Sequence, residues 1–319
     1  MIVSCGEALI DFVPARTTTG EGCYVPRAGG SPFNVAVTVG RLAHPAGFLG
    51  SVSSDFFGSQ LLAALHKSKV DTRYVSRLER PSTLAFVSLA SVEPEYTFYN
   101  SAAADRYWEP TTDITRDVSI LHFGSLSLIE EPAADRFAEL MAREKGRRIL
   151  SLDPNIRPTV VRNKEAAYRA RLSAMLGLAD VIKISGADLE WLDPLHAPAE
   201  IAAAWIAGGA SIVVITAGAD GSTAFARDGR TIRRPAVPIT LVDTVGAGDS
   251  FMGSFLVGLD AAGAAEPADL ARLDDAAIER ALGFAAQVSA ITCSRAGADP
   301  PWSDEVTLPA GASGAKGKP

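Results

Sequence analysis

Short apolar segments and amphipathic helical patterns take turns along most of this 319-residue chain, and that alternation admits few architectures. Residues 1–5, 46–52, 120–123, 148–152, 180–184 and 211–216 read as strands. Helical patterns follow at 31–42, 55–65, 133–145, 164–178, 247–259 and 275–292, with further helices after 184 and 216. Strands separated by helical stretches of this length pair in parallel through right-handed crossovers, and they need helices on both faces. The expected fold is therefore α/β, with a mostly parallel sheet between helical layers, and ligands are expected beyond the carboxyl ends of the strands. Two helix starts are explicit: Ser31 as N-cap with Pro32 at the first helical position, and Asp55 capping the helix that carries Phe56, Leu61, Leu62 and Leu65.

Two stretches break the rhythm. Residues 12–27 and 82–106 alternate in the manner of strands, the second around Glu93-Pro94-Glu95, which suggests a β-hairpin. They form either a small sheet lying over the main domain as a lid, or decorative hairpins. The segment 310–319 is small and polar, and is expected to be disordered. The remaining 1–11, 28–81 and 107–309 would make one large domain, and the length suffices for its core.

Charge and cysteine content remove several function classes. The net charge is −7 and no stripe of Lys and Arg occurs, so a nucleic-acid partner is not expected. Cys5, Cys23 and Cys293 are scattered and odd in number, which fits reduced thiols rather than a disulfide frame or a zinc site. The beginning MIVSCGEALIDF has no basic region and no apolar run reaches membrane length, so a cytoplasmic protein without a membrane partner is expected. His44, His66, His122 and His196 show no triad or metal spacing.

The segment Val242-Asp243-Thr244-Val245-Gly246-Ala247-Gly248-Asp249-Ser250-Phe251 carries the strongest chemical signal. Small residues at 246–248 run directly into an apolar helix. Unsatisfied amides at a helix N-terminus, reinforced by the helix dipole, bind an anion. Asp249 in the first turn stands where a carboxylate can take a proton from an attacking hydroxyl while amides hold the phosphoryl group. A second segment, Ala28-Gly29-Gly30-Ser31-Pro32-Phe33-Asn34, lets a ligand approach the backbone at its glycines. With Asp11, placed at the end of the first strand, Asn34 makes a pair able to read hydroxyls. There is no GxxxxGK[ST], and Gly246-Ala247-Gly248 lacks the rest of a dinucleotide fingerprint.

Together, in this order on a βαβ frame, the two segments resemble the signatures of the PfkB (ribokinase-like) carbohydrate kinases over residues 1–309. The resemblance implies a three-layer α/β/α domain with a small β lid, ATP and Mg2+ as cofactors, a small sugar as substrate, and a monomer or homodimer. It implies Asp249 as the base, with Gly246, Ala247 and Gly248 as the anion hole, and Asp11, Gly29, Gly30 and Asn34 on the sugar. Thr216-Ala217-Gly218-Ala219-Asp220-Gly221 resembles the family's strand-turn-strand beside the nucleotide, giving Thr216, Gly218 and Gly221. The helix at 284–292 would line the adenine pocket through Ala285, Ala286 and Ser289. A potassium site is implied at Asp243 and the carbonyls of Val245, Thr292, Arg295 and Gly297. Where the family often has Asn-x-x-Glu for hydrated magnesium, this chain has Ser185-Gly186-Ala187-Asp188, with Asp188 one methylene shorter than Glu.

The segments Asp153-Pro154-Asn155-Ile156-Arg157 and Tyr96-Thr97-Phe98-Tyr99 resemble the fructokinase branch, so fructose is the expected sugar. The rival branch phosphorylates 2-keto-3-deoxygluconate, an acid, and usually has Arg where this chain has Asn100. Asn100 and Asn155 are thus expected at the sugar, and Arg106 and Arg157 are the cations able to meet a carboxylate or phosphate. A non-catalytic sugar or nucleotide sensor on the same fold would be expected to have lost Asp249.

Overall fold

The computed structural model describes residues 1–88, 95–110 and 112–311. The chain opens with β1 (Ile2–Cys5), β2 (Leu9–Arg16), β3 (Gly22–Gly29), α1 (Ser31–Arg41), β4 (Ala46–Ser53), α2 (Phe56–Lys67) and β5 (Val70–Leu78). Then come β6 (Thr83–Ser88), β7 (Glu95–Tyr99), β8 (Ile120–Gly124), α3 (Ala133–Glu144), β9 (Ile149–Asp153), the short α4 (Pro158–Val161) and α5 (Glu165–Leu176). The last part holds β10 (Val181–Ser185), α6 (Gly186–Leu192), α7 (Pro198–Ala207), β11 (Ile212–Thr216), β12 (Ser222–Ala226), β13 (Thr231–Arg234), α8 (Ala247–Ala261) and α9 (Asp275–Cys293).

A nine-stranded sheet runs in the order β13-β12-β11-β10-β9-β8-β1-β4-β5. Its strands are parallel from β5 to β11, and β12 and β13 add an antiparallel edge. Parallel strands covered on both faces read as near-continuous apolar runs. IVVIT of β11 and VIKIS of β10 are such runs, and their alternate side chains enter opposite cores. Val181, Ile212 and Val214 pack with Phe255 and Leu256 of α8 and Ile278 of α9. Ile182, Val213 and Ile184 pack with Phe137 of α3 and Leu172 of α5. Because β1 lies between β8 and β4, the chain order reverses there, which opens a crevice at the carboxyl ends of the strands. Among the described residues no helix is long and apolar enough to cross a membrane.

The two stretches outside the main rhythm form a second sheet, ordered β3-β2-β6-β7. It begins at Leu9, so the expectation that 1–11 belong to the large domain is corrected: β2 takes Asp11 into the small sheet, paired with Arg27 and Ala85. The apolar alternation of LIDFV starts before Asp11, and that is the physical reason. Leu9 and Asp11 face the main domain's crevice, while Phe12 turns the other way and stacks on Phe86 at 4.6 Å, with Phe57 of α2 edge-on at 5.8 Å. Glu93 and Pro94 of the expected hairpin turn, and 312–319 of the expected tail, lie outside the described residues.

A second correction concerns α1. Gly30, with φ 106°, is the N-cap, and Ser31 is the first helical residue. Its hydroxyl does not cap the helix because it donates elsewhere, to Asp249 Oδ1 at 2.6 Å. Asp55 caps α2 as expected, accepting from Gly58 N at 2.8 Å. The same carboxylate accepts from the Ser82 backbone N at 3.0 Å and its hydroxyl at 2.8 Å, so the cap also anchors the entry to β6. Asp55→Ala is expected to lower unfolding free energy by about 1–2 kcal/mol, since it strips a cap and an anchor together. Urea denaturation with the slope unchanged is the check; a loss below a few tenths would show that the cap carries no such role.

Candidate functional site

The turn before α8 is shaped by its glycines. Gly246 is left-handed at φ 75°, and a Cβ there would strike Ala298 at 2.5 Å, so glycine lets the 293–298 segment close over the turn. Asp243 laces the two together: Oδ1 accepts from Val245 N at 3.0 Å and Oδ2 from Gly297 N at 2.7 Å. Ser289 of α9 donates to Ala247 O at 3.0 Å. Of the three small-residue amides, that of Ala247 is bonded to Thr244 O at 3.2 Å, whereas none of the turn's backbone hydrogen bonds uses the amides of Gly246 or Gly248. Free donors at the start of a 15-residue helix are chemically able to hold an anion.

Asp249 is buried, 7% exposed, in the first turn of α8. Besides Ser31, Asn34 Nδ2 donates to its Oδ2 at 2.9 Å, so the start of α1 grips both carboxylate oxygens. Burial pushes its pKa above the usual carboxylate value, and nearby Asp153 adds to this. The bonds from Ser31 and Asn34 and the charge of Lys183 pull it back.

Two cavities meet here, and both include Thr244 and Gly248 in their walls. The smaller, of about 260 Å³, is polar and is lined by Glu7, Asp11, Gly30, Asn34, Asn155, Arg157, Gly246 and Asp249, with Tyr96 and Phe98 from β7. Asp11 is pushed up to about 7 by burial; Arg157 opposes this and Asp249 adds to it. Glu7 is raised to about 7, again chiefly by burial, with Ser127 N donating to Oε2 at 3.0 Å. Arg157 is turned onto Asn155, donating to its Oδ1 at 2.7 Å and its carbonyl at 3.1 Å. Gly29 brings the β3 backbone against the Asp11 carboxylate rather than lining the cavity.

The larger cavity, about 580 Å³, is mostly apolar. Thr216, Gly218, Gly221, Ala247, Phe251, Ala286 and Ser289 line it, along with Val237, Pro238, Ile239 and Leu241. That last apolar strap was not singled out in the sequence. Its signal is the run AVPITLV just before the glycine turn, whose Val237, Ile239 and Leu241 stay exposed.

Several expected site residues lie elsewhere. Asn100 sits past the end of β7, where alternation gives the cavity to Tyr96 and Phe98; its amide donates to Glu130 Oε1 at 3.3 Å. Arg106 pairs with Glu130 as well, at 3.0 Å, and so does Lys164, at 2.6 Å. Ala285 faces the core, because helical spacing turns Ala286, Ser289, Ala290 and Cys293 to the cavity instead. Ser185 lines neither cavity; it caps α6, and its hydroxyl donates to Asp188 Oδ2 at 2.8 Å. Asp188 Oδ1 accepts from Ile156 N at 3.1 Å. Thr292 and Gly297 each have a carbonyl that accepts a backbone bond, from Arg295 N and Asp299 N. Among the described residues no group of three or more His, Cys, Asp or Glu could hold a metal ion.

Comparison with known proteins places this geometry. Residues 1–305 match the pfkB family carbohydrate kinase. The chain is 39% identical over 280 residues to a fructokinase of Rhizobium leguminosarum bv. trifolii, covering 87% of this chain and 85% of that one. Its fold superposes on a fructokinase of Xylella fastidiosa with bound ATP at a TM-score of 0.86, 30% identity and 93% of both chains. It also superposes on a fructokinase double mutant of Vibrio cholerae O395 holding fructose, ADP and a potassium ion, at 0.82, 26% identity and again 93% of both. The chain belongs to the pfkB family of carbohydrate kinases and is an ATP-dependent sugar phosphotransferase.

A carboxyl whose pKa rises on folding from 3.8 to about 7 holds its proton better in the folded state, so the Asp11 contribution to stability falls as pH rises through that window. Asp11→Asn is therefore expected to gain stability over the parent as pH goes from 4 to 8, by about 1–3 kcal/mol at the upper end. Thermal unfolding of both proteins across that range reads the difference; a gap independent of pH would show that Asp11 is ionised in both states.

Proposed function

We propose that this kinase transfers the γ-phosphoryl group of ATP to a terminal hydroxyl of fructose. The observation that carries the reading is the buried carboxylate of Asp249, placed where a polar cavity and an apolar one share a single turn of free amides. The apolar cavity suits an adenine and its ribose, and the polar one a small hydroxylated molecule. Asp249 takes the proton of the attacking hydroxyl while the new P–O bond forms and the bond to ADP breaks. Ser31 and Asn34 fix the direction of the carboxylate. The amides of Gly246 and Gly248 stabilise charge on the transferring group, and Asp11, Gly30, Asn34 and Asn155 read the sugar's hydroxyls.

A neutral sugar is favoured because Nη1 of Arg157, the cation in the polar cavity's wall, donates to Asn155 and the Ile156 carbonyl and so turns the guanidinium onto its own loop. Arg106 is spent on Glu130. The fructokinase relatives support fructose within that class. The small sheet, with Tyr96 and Phe98 over the cavity, serves as the lid that excludes water.

Asp188 fits a role toward magnesium, since each of its oxygens accepts one hydrogen bond and keeps lone pairs for the water shell of a hydrated cation. Bound with ATP, magnesium would neutralise charge on the phosphates. Asp243 and the neighbouring carbonyls of Val245, Thr292, Arg295 and Gly297 would offer potassium oxygen ligands alone, since each oxygen that already accepts a bond keeps a further lone pair. The cysteines are free, and a cytoplasmic enzyme accords with that.

An ADP-release assay on fructose, 2-keto-3-deoxygluconate, ribose, tagatose and adenosine should show turnover dominated by fructose; preference for the acid would overturn the substrate assignment. Asp249→Asn should cut kcat about 10²–10⁴-fold with the sugar KM nearly unchanged. Undiminished kcat would remove Asp249 from the chemistry. Replacing sodium by potassium should raise activity of the parent and leave Asp243→Ala unaffected, and an equal response in both would place the cation elsewhere.

A further inference from the structure

β10 carries a residue that its setting does not explain. Val181, Ile182 and Ile184 are fully buried, as a central parallel strand requires, yet Lys183 between them is 4% exposed. Its Nζ is 2.7 Å from Oδ2 of Asp153, which is 1% exposed at the end of β9. Hydrophobic residues of similar volume generally serve a fold as well as a buried ion pair does, so such a pair marks a place where charge is wanted for something else.

The location supplies the reason. Lys183 points to the face of the sheet covered by α8, and its ammonium comes up against the backbone of Gly248. A Cβ on residue 248 would lie 2.9 Å from Nζ, so the glycine leaves the room the ammonium fills. An ammonium has three donors. Asp153 is the acceptor found for one of them among the described residues, and the others remain for a group arriving at the turn. The positive field is felt at a distance too: together with burial it holds His122, two strands away, down at about 3. Burial alone would discharge Lys183, but Asp153's charge and hydrogen bond outweigh it and keep the ammonium charged.

We propose that Lys183, held in place by Asp153, is the buried cation of the anion hole, reinforcing the Gly246–Gly248 amides from below and positioning the phosphate chain of the nucleotide. The proposal rests on the kinase reading and adds to it a residue with no counterpart among the sequence expectations. An acidic chain thereby obtains one desolvated positive charge where phosphate must sit, at a point where low dielectric strengthens it.

Two variants separate this role from support of the fold. Lys183→Gln keeps a donor for Asp153, and the pair Lys183→Met with Asp153→Asn removes both charges at similar volume. Calorimetric binding of ATP and of adenosine, which lacks the phosphates, should show ATP affinity at least tenfold weaker and adenosine within twofold of the parent. With fructose, kcat should fall at least tenfold while the sugar KM stays within threefold. A variant that keeps both the ATP-to-adenosine ratio and kcat overturns the proposal. Equal loss of ATP and adenosine binding in both variants, each still unfolding cooperatively, overturns it as well, because the pair would then shape the site without meeting the phosphates. Should the parent be inactive on sugars, the fructose assignment fails, while the ATP-to-adenosine ratio still judges Lys183.

Discussion

Two helix N-termini meet at one carboxylate. Asp249 opens α8 and is gripped by the first turn of α1, through Ser31 on one oxygen and Asn34 on the other. The helices come from opposite ends of the sequence, and the bonds are short, buried and charge-assisted, the kind that fixes direction as well as distance. Because α1 follows β3 of the small sheet and α8 follows the glycine turn, that contact sets how the polar cavity, the amides and the apolar cavity lie relative to one another. It also explains why Ser31 is the first residue of its helix and not its cap: the hydroxyl could not serve both duties.

The electrostatics follow from the same economy. A chain with net charge −7 has no surplus of cations to spend on phosphates. Free backbone amides, a helix dipole and charges buried in pairs place positive potential only where it is used. The carboxylates of Glu7 and Asp11 at the cavity are raised by burial to about 7, so they hold their protons better than free carboxylates do. Ligand hydroxyls and a nucleotide then meet groups poised to change their protonation rather than a wall of negative charge.

Much of this was legible in the sequence. The parallel core was readable because helical and strand periods differ, and VVIT or ILSL cannot serve a half-exposed strand. The anion turn was readable because small residues entering an apolar helix have few other uses. Asn100, Arg106 and Ala285 were misplaced for a common reason: their side-chain direction depends on where an element ends or how a helix is rotated, and one residue of phase decides it. Lys183 left no trace because a lone cation inside VIKIS looks like an edge or a surface strand until the neighbouring strands are in place. The strap at 237–241 was missed because so short an apolar run carries too little helical or strand period to place its side chains.

In β2, adjacent residues face opposite ways: Asp11 enters the polar cavity, and Phe12 stacks on Phe86 behind it, with Phe57 edge-on. The element that brings Asp11 to the cavity, the sugar's reader in the proposed function, is thus the same piece of backbone that holds the small sheet on α2. Recognition here is not a detachable module, as it would be on a surface loop. A lineage shifting to a different sugar could not graft a new reading residue at this position without re-fitting the aromatic stack behind it. Divergence in specificity should therefore pass first through β7, whose Tyr96 and Phe98 lie near the sheet's edge and bear less of its load.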